Sequence, residues 1–214
     1  MTYFRHIDKG EGPVKLIIGG VHGNEYKHTI ELIKLLKYED FGPGQIYIYN
    51  LNKTKYLSTL NPNYYKTPQG KKIIKLINKY KPDFYTELHS YNIEHYKNLT
   101  ENTRLKKQHI PPLIDCGNHV LVSSVSPLIR FKNLDKDAVC KTIEIPTINK
   151  KEVMKKYNFN KNLTNNRAMD LLYLITKSNT RKEYTTKISK KYPKQVELAI
   201  EYVTKYFKED FSPF

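Results

Sequence analysis

Residues 14–25 read Val14-Lys-Leu-Ile-Ile-Gly-Gly-Val-His-Gly-Asn-Glu25, a short apolar run that stops on two glycines. A run of that length, closed by turn residues, is the pattern of a buried strand. From Glu25 to Lys37 the apolar residues Ile30, Leu32, Ile33, Leu35 and Leu36 fall at helical spacing, with Asn24 and Glu25 at the first turn. Phe41-Gly-Pro-Gly44 is a turn by composition, and Gln45–Leu51 (QIYIYNL) alternates Ile with Tyr as a second strand. A polar Asn/Tyr/Lys loop runs to Gly70. Lys71–Tyr80 then turns Ile73, Ile74, Leu76 and Ile77 inward on a helix, and Asp83–Leu88 (DFYTEL) is a third strand. Strand, helix, strand, helix, strand predicts an α/β fold with a mixed, largely parallel sheet flanked by helices.

Further along, Ser90 to Cys116 is broken by Pro111-Pro112 and has no clear period. A stretch that long is either a lid or site loop, or it conceals an element. Val120–Val125 and Ala138–Ile145 read as two more strands. Past Pro146 the pattern is helical, over Lys150–Tyr157, Asn165–Lys177 and Lys194–Phe207. The last helix follows Pro193 and carries Val196, Ile200, Val203 and Phe207 as its inner stripe. No repeat and no low-complexity linker interrupts the chain. One domain is expected, with a core over about 14–146 and a helical tail over 147–214.

Composition bounds the function. At 214 residues, 39% hydrophobic and 27% charged, the chain can bury a core and is too apolar to be disordered. No apolar run reaches the length of a transmembrane helix, and Met1 to Gly12 lacks the apolar core of a signal peptide. Two cysteines, Cys116 and Cys140, are too few for a disulfide framework and read as reduced thiols, so a cytoplasmic location is expected. The net charge is +16, but 32 of the 37 basic residues are Lys, and they are scattered. Residues 147–214 carry fifteen basic against seven acidic side chains, a denser positive charge than the rest. No nucleic-acid-binding motif accompanies them. The charge therefore reads as a solvated basic face, with attraction of an anionic small-molecule or peptide substrate as the sharper alternative. A nucleic-acid-binding role for the basic tail is a distant third. Nothing points to a membrane, and the oligomeric state is not encoded in any pattern recognised here.

The chemistry gathers at strand ends. His22 and Glu25 form a His-x-x-Glu pair just past the carboxyl end of the first strand above, on a Gly-flanked turn. A second such pair, His28 and Glu31, lies within a helix and reads as surface. In Tyr85-Thr-Glu-Leu-His-Ser-Tyr91, His89 follows another strand at the same sheet edge. Ligands collect outside the carboxyl ends of strands in open α/β sheets. Two imidazoles and one carboxylate are the donor set of a catalytic zinc site with a fourth position open, so His22, Glu25 and His89 are the expected ligands of one Zn2+. Glu144, in Cys140-Lys-Thr-Ile-Glu-Ile-Pro146, is a carboxylate on a strand that otherwise looks buried, and it is the candidate general base.

The segments IIGGVHGNE, TELHSY and KTIEIP, in that order, resemble the zinc carboxypeptidases of the M14 kind, and more closely their short succinylglutamate desuccinylase/aspartoacylase-like branch, including its uncharacterised archaeal members. The resemblance covers residues 14–146. It implies a phosphorylase/hydrolase-like fold of the zinc-peptidase type and the hydrolysis of an amide bond in a small N-acyl amino acid or peptide. It also implies the roles given above for His22, Glu25, His89 and Glu144, and places Glu87 where it would orient His89. The sequence departs from that pattern at the arginines that grip substrate. Pro62 stands at the clamp arginine, Lys55 is the nearest cation to the other, Asn61 fits the family's Asn, and Arg130 is the substitute from elsewhere in the chain. Lys55, Asn61 and Arg130 are thus the expected substrate-binding residues, with Tyr91, Tyr96 and His95 as cover for the site. The departures leave room for a protein of this fold that binds zinc without turning substrate over.

Overall fold

The computed structural model describes residues 3–108, 110–148 and 150–207; Met1 and Thr2 of the N-terminal segment and the last seven residues of the basic tail lie outside the described residues. The elements run β1 (Tyr3–Asp8), β2 (Val14–Gly19), α1 (Tyr26–Leu35), β3 (Gln45–Asn50), α2 (Pro68–Tyr80) and β4 (Phe84–Asn92). Two short helices follow, α3 (Tyr96–Thr100) and α4 (Thr103–Gln108), then β5 (Ile114–Asp115), β6 (Leu121–Ser123), α5 (Pro127–Asn133) and β7 (Val139–Thr147). The chain closes with α6 (Lys151–Lys156), α7 (Lys161–Thr176), α8 (Arg181–Lys191) and α9 (Pro193–Phe207).

The strands form one mixed seven-stranded sheet in the order β1-β3-β2-β4-β7-β6-β5. Its four central strands are mutually parallel, while β1 and the β6–β5 pair run antiparallel at the two sides. Half of the strand pairings are therefore antiparallel, and the expected largely parallel sheet is corrected to a parallel centre with antiparallel flanks. Strands β2, β4 and β7 are central because both of their faces are apolar, so each needs a layer of helices on either side. Ile17 on β2, with Phe84, Val139 and Ile143, packs against α1 and α7 through Leu32, Ile33, Leu171, Leu172 and Ile175. One residue along, Leu16 and Ile18 face the other way, with Tyr85 and Cys140, against Ile73, Leu76 and Ile77 of α2 and Ile129 of α5.

This layering decides where a site can form. From β2 the chain crosses by α1 to β3 on one side, then by α2 to β4 on the other side of β2. The order reverses at β2 and β4, and helices leaving opposite faces open a crevice outside the carboxyl ends of those strands.

Several elements escaped the sequence reading. Strand β1 lies in the stretch passed over as a mere N-terminus, although Tyr3, Arg5 and Ile7 alternate with exposed neighbours. Helix α8 is nearly all polar, and its Thr180 cap, accepting from the Glu183 amide at 3.1 Å, was the one local signal. The stretch from Ser90 to Cys116 conceals elements: β4 continues to Asn92, and α3, α4 and β5 follow. Both cysteines are free and buried. Among the described residues no helix is long and apolar enough to cross a membrane.

One core position is electrostatically costly. Lys15 of β2 is fully buried, and its Nζ donates to the Thr176 carbonyl at 2.6 Å. Desolvation pushes its ammonium down to about 8, against a weaker opposing pull from Glu183. A lysine depressed below its unfolded value binds its proton less well in the folded state. Stability therefore rises with pH between about 8 and the unfolded value near 10.4, and the cost, roughly 3 kcal/mol, is fully present below pH 8. The Thr176 carbonyl also accepts from the Gly42 amide at 3.0 Å, so it keeps a partner without Lys15. Lys15→Met is expected to raise stability by about 1–3 kcal/mol at pH 7, and the gain is expected to vanish above pH 10. Denaturant unfolding at both pH values checks this, and a less stable variant at pH 7 would contradict it.

Candidate metal centre

The turn after β2 brings the backbone closer than any side chain would permit. Gly20 has φ +66°, and a Cβ there would sit 2.7 Å from the Leu51 carbonyl oxygen. The chain thus turns sharply into Val21 and His22. Tyr64, fully packed under the turn, donates its hydroxyl to the Val21 carbonyl at 2.7 Å and fixes the backbone next to His22. Asn50, at the end of β3, donates to the Tyr26 carbonyl at 2.9 Å and accepts from the Thr29 hydroxyl at 2.6 Å. These bonds tie the first turn of α1 to the sheet, so Glu25, at the cap of α1, points back over the strand ends.

There Glu25 meets both histidines. Its carboxylate oxygens lie 3.3 Å from His22 Nδ1 and 3.3 Å from His89 Nδ1. It also accepts from the backbone amides of His22 at 3.2 Å and Ser90 at 3.3 Å. The ligand atoms of His22, Glu25 and His89 all lie within 4.8 Å of one another, and all three residues are buried. Among the described residues, the buried Nδ1 atoms of both histidines have no hydrogen-bond partner. Buried polar atoms are rarely left so, and each needs a reason. Two orphaned imidazole nitrogens converging on one carboxylate fit a cation bound between them, and the N/N/O donor set suits zinc.

The partners on His89 strengthen the fit. Its Nε2 lies 3.1 Å from a Glu87 carboxylate oxygen, and Glu87 also accepts from the Tyr85 hydroxyl at 2.7 Å. A carboxylate can only accept, so Nε2 carries the proton and the Nδ1 lone pair faces Glu25. This is the carboxylate–histidine arrangement by which proteins fix the tautomer of a metal-binding imidazole. Glu87 thus stands where it was expected to orient His89. Without a metal the charges respond to one another. Burial alone would favour neutral His89, but the Glu25 carboxylate beside Nδ1, with Glu87 accepting from Nε2, holds its pKa well above the ordinary histidine range. Desolvation and the neighbouring His89 push His22 down to about 4, against the pull of Glu25.

Glu144 reaches the same place from another strand. In the parallel pairing of β4 with β7, Glu144 lies directly opposite His89, on the same face of the sheet. Desolvation, with the Glu25 charge adding to it and His89 opposing, pushes its carboxyl up to about 7. His22, Glu25, His89 and Glu144 all line one cavity.

The three expected substrate-binding residues are not brought to this cavity. Lys55 is exposed and outside its wall. Asn61 is also exposed, and its side chain accepts from the Asn63 amide at 2.9 Å to cap the short 3-10 helix Pro62–Lys66. Arg130 is on α5. It donates to the carbonyls of Asp135 at 2.6 Å and Lys136 at 2.8 Å, pinning the loop before β7. Lys141 of β7 lines the cavity farther along, and near Glu144 the cation on its wall is Arg104 of α4. Its charge bears on Glu144 and Tyr56, and it donates to the Pro111 carbonyl at 2.9 Å. No local pattern marks Arg104; only the path of residues 93–108 brings it there. Of the expected cover, Tyr91 and His95 line the cavity, whereas the Tyr96 hydroxyl donates to Asp115 at 2.6 Å. Tyr56, not foreseen, stands edge-on to His22 with ring centroids 4.8 Å apart. Glu31 pairs with Lys161 at 2.9 Å on the surface, as expected for the second His-x-x-Glu pair.

Comparison with known proteins places the chain. Residues 10–208 match the family described as "Uncharacterized protein conserved in archaea (DUF2119)". The chain is 39% identical, over 92% of its length and 93% of the relative's, to the Methanocaldococcus jannaschii protein "Uncharacterized protein MJ0501". No solved structure matches it. The chain belongs to this archaeal family, and the resemblance to the zinc carboxypeptidases and their desuccinylase/aspartoacylase-like branch is corrected accordingly: the family match spans nearly the whole chain, whereas the resemblance rested on three short segments.

Proposed function

We propose that this member of the archaeal family is a zinc-dependent hydrolase that cleaves an amide bond in a small N-acyl amino acid or peptide. The observation that carries the reading is the pair of orphaned Nδ1 atoms, on His22 and His89, facing the Glu25 carboxylate beside Glu144. We take the sheet, with its site at the point where strand order reverses, to be of the phosphorylase/hydrolase-like type.

His22, Glu25 and His89 would hold the ion, which when bound supplies a Lewis acid and a water of lowered pKa. Glu25 contributes a negative charge that offsets the ion's, and Glu87 keeps the His89 ring turned to present Nδ1. Glu144 is suited to proton transfer, because it is a carboxylate on the cavity wall directly opposite His89 and not among the three converging ligands. It would take the proton of the attacking water and deliver it to the leaving nitrogen. Arg104 supplies positive charge on the same wall, where an anionic substrate group or the developing oxyanion would lie. It takes the part first given to Lys55 and Arg130.

The test is a set of N-acyl amino acids and dipeptides offered to zinc-loaded protein. Turnover that a chelator abolishes and added zinc restores is the expected result. One zinc per chain with no amide cleaved would favour a zinc-binding protein without catalysis, and no zinc bound at all would overturn both readings.

A further inference from the structure

The cavity at the metal centre does not stop at the strand ends. In all it encloses about 610 Å³, within the range of ligand pockets. His22, Glu25, His89 and Glu144 line it on one face of the sheet, while Leu171, Ile175, Ile188, Val196, Ala199 and Val203 line it from α7, α8 and α9 on the other. The topology provides the passage. Strand β6 ends at Ser123, paired with Thr142, so the edge of β7 before Thr142 has no strand beside it among the described residues. Ser123 and Ser124 line the cavity from β6 and just beyond it, with Lys141 and Thr142 opposite on β7. Alternation along β7 sends Glu144 and Thr142 to the metal face and Lys141 and Ile143 to the helical face.

The far part of the cavity is mostly apolar, with Tyr184, Tyr192, Gln195 and Tyr202 set among its aliphatic side chains. Protein interiors are close-packed, and apolar side chains left facing water or empty space cost stability. An apolar occupant removes that cost. An occupant that also reaches the metal centre runs past the end of β6, by Ser124 and Lys141, and so is extended in shape. A polymethylene or branched aliphatic chain suits such a path.

We propose that this chamber binds a long aliphatic chain, and that the amide hydrolysed at the metal centre carries such a chain as its acyl group. The inference rests on the hydrolase reading for its second half only. The chamber is built by α7–α9 and the far sheet face, and it contains none of the zinc ligands. Lys141 lines the cavity at the passage, and burial pushes its ammonium down to about 8.

Calorimetric titration of acetyl-, hexanoyl- and decanoylglycine into Glu144→Gln protein, with and without zinc, tests the proposal. Affinity is expected to rise about fourfold for each methylene that enters the chamber. Ala199→Trp, which fills the chamber from α9, is expected to return decanoylglycine toward the affinity of the acetyl compound. Val196→Ala enlarges the chamber from the same helix, and should favour the longest chain further if the Trp variant fails to fold. Equal affinity across the series, or a series that neither variant alters, overturns the proposal. A rising series in protein that cleaves no amide keeps the chamber and removes the hydrolase. A flat series in protein that cleaves acetylglycine does the reverse.

Discussion

Glu144→Gln is expected to keep about one zinc per chain and to lower kcat by roughly 10²–10⁴-fold, the range that general acid–base groups contribute. Gln matches Glu in shape and is uncharged, so the site loses a proton acceptor and little packing. Glu144 is not one of the three residues whose ligand atoms converge, and metal content should therefore be unchanged. A residue that merely helped hold zinc would lose metal and activity together. A residue that merely packed against β4 would lose neither. Metal analysis and turnover, measured on the same preparation, separate the three outcomes, and retained turnover would remove Glu144 from the mechanism.

The second large effect concerns the metal itself. His89→Ala is expected to lose zinc from protein that binds about one per chain, because a three-residue donor set reduced to His22 and Glu25 no longer surrounds an ion. The variant also leaves Glu25 and Glu87 without the imidazole that lies 3.3 Å from one and 3.1 Å from the other. Buried carboxylates deprived of a partner are destabilising by several kcal/mol, so the variant's melting temperature should fall as well. His22→Ala removes a ligand without stranding Glu87, and comparing the two separates loss of the site from loss of the fold. Both variants should lose zinc, and only His89→Ala should lose much stability. Zinc retained by either variant would mean that the orphaned nitrogens have another purpose.

How much of this was legible beforehand follows from the reach of each interaction. Strands β2, β3, β4 and β7 and helices α1, α2, α7 and α9 were legible because each is a periodic apolar pattern, written in consecutive residues. His22, Glu25, His89 and Glu144 were legible because strand-end histidines and a carboxylate within an apolar strand conflict with their local surroundings. The three segments that carry them were nonetheless poor guides to ancestry, since the same donor chemistry asks for similar residues whatever the family.

The sequence by itself determined the alternation of strand and helix, the donor residues and their positions after strands, because these depend on neighbours a few residues apart. Only the tertiary structure decided that Glu144 lies opposite His89, that Arg104 rather than Arg130, Lys55 or Asn61 faces the cavity, and that the cavity turns past the end of β6. Arg130 and Asn61 are spent on local backbone groups, and Arg104 arrives over a segment without periodicity. Those outcomes are set by strand register and loop path, which join residues dozens of positions apart, and no local pattern of side chains fixes where such a segment comes to rest.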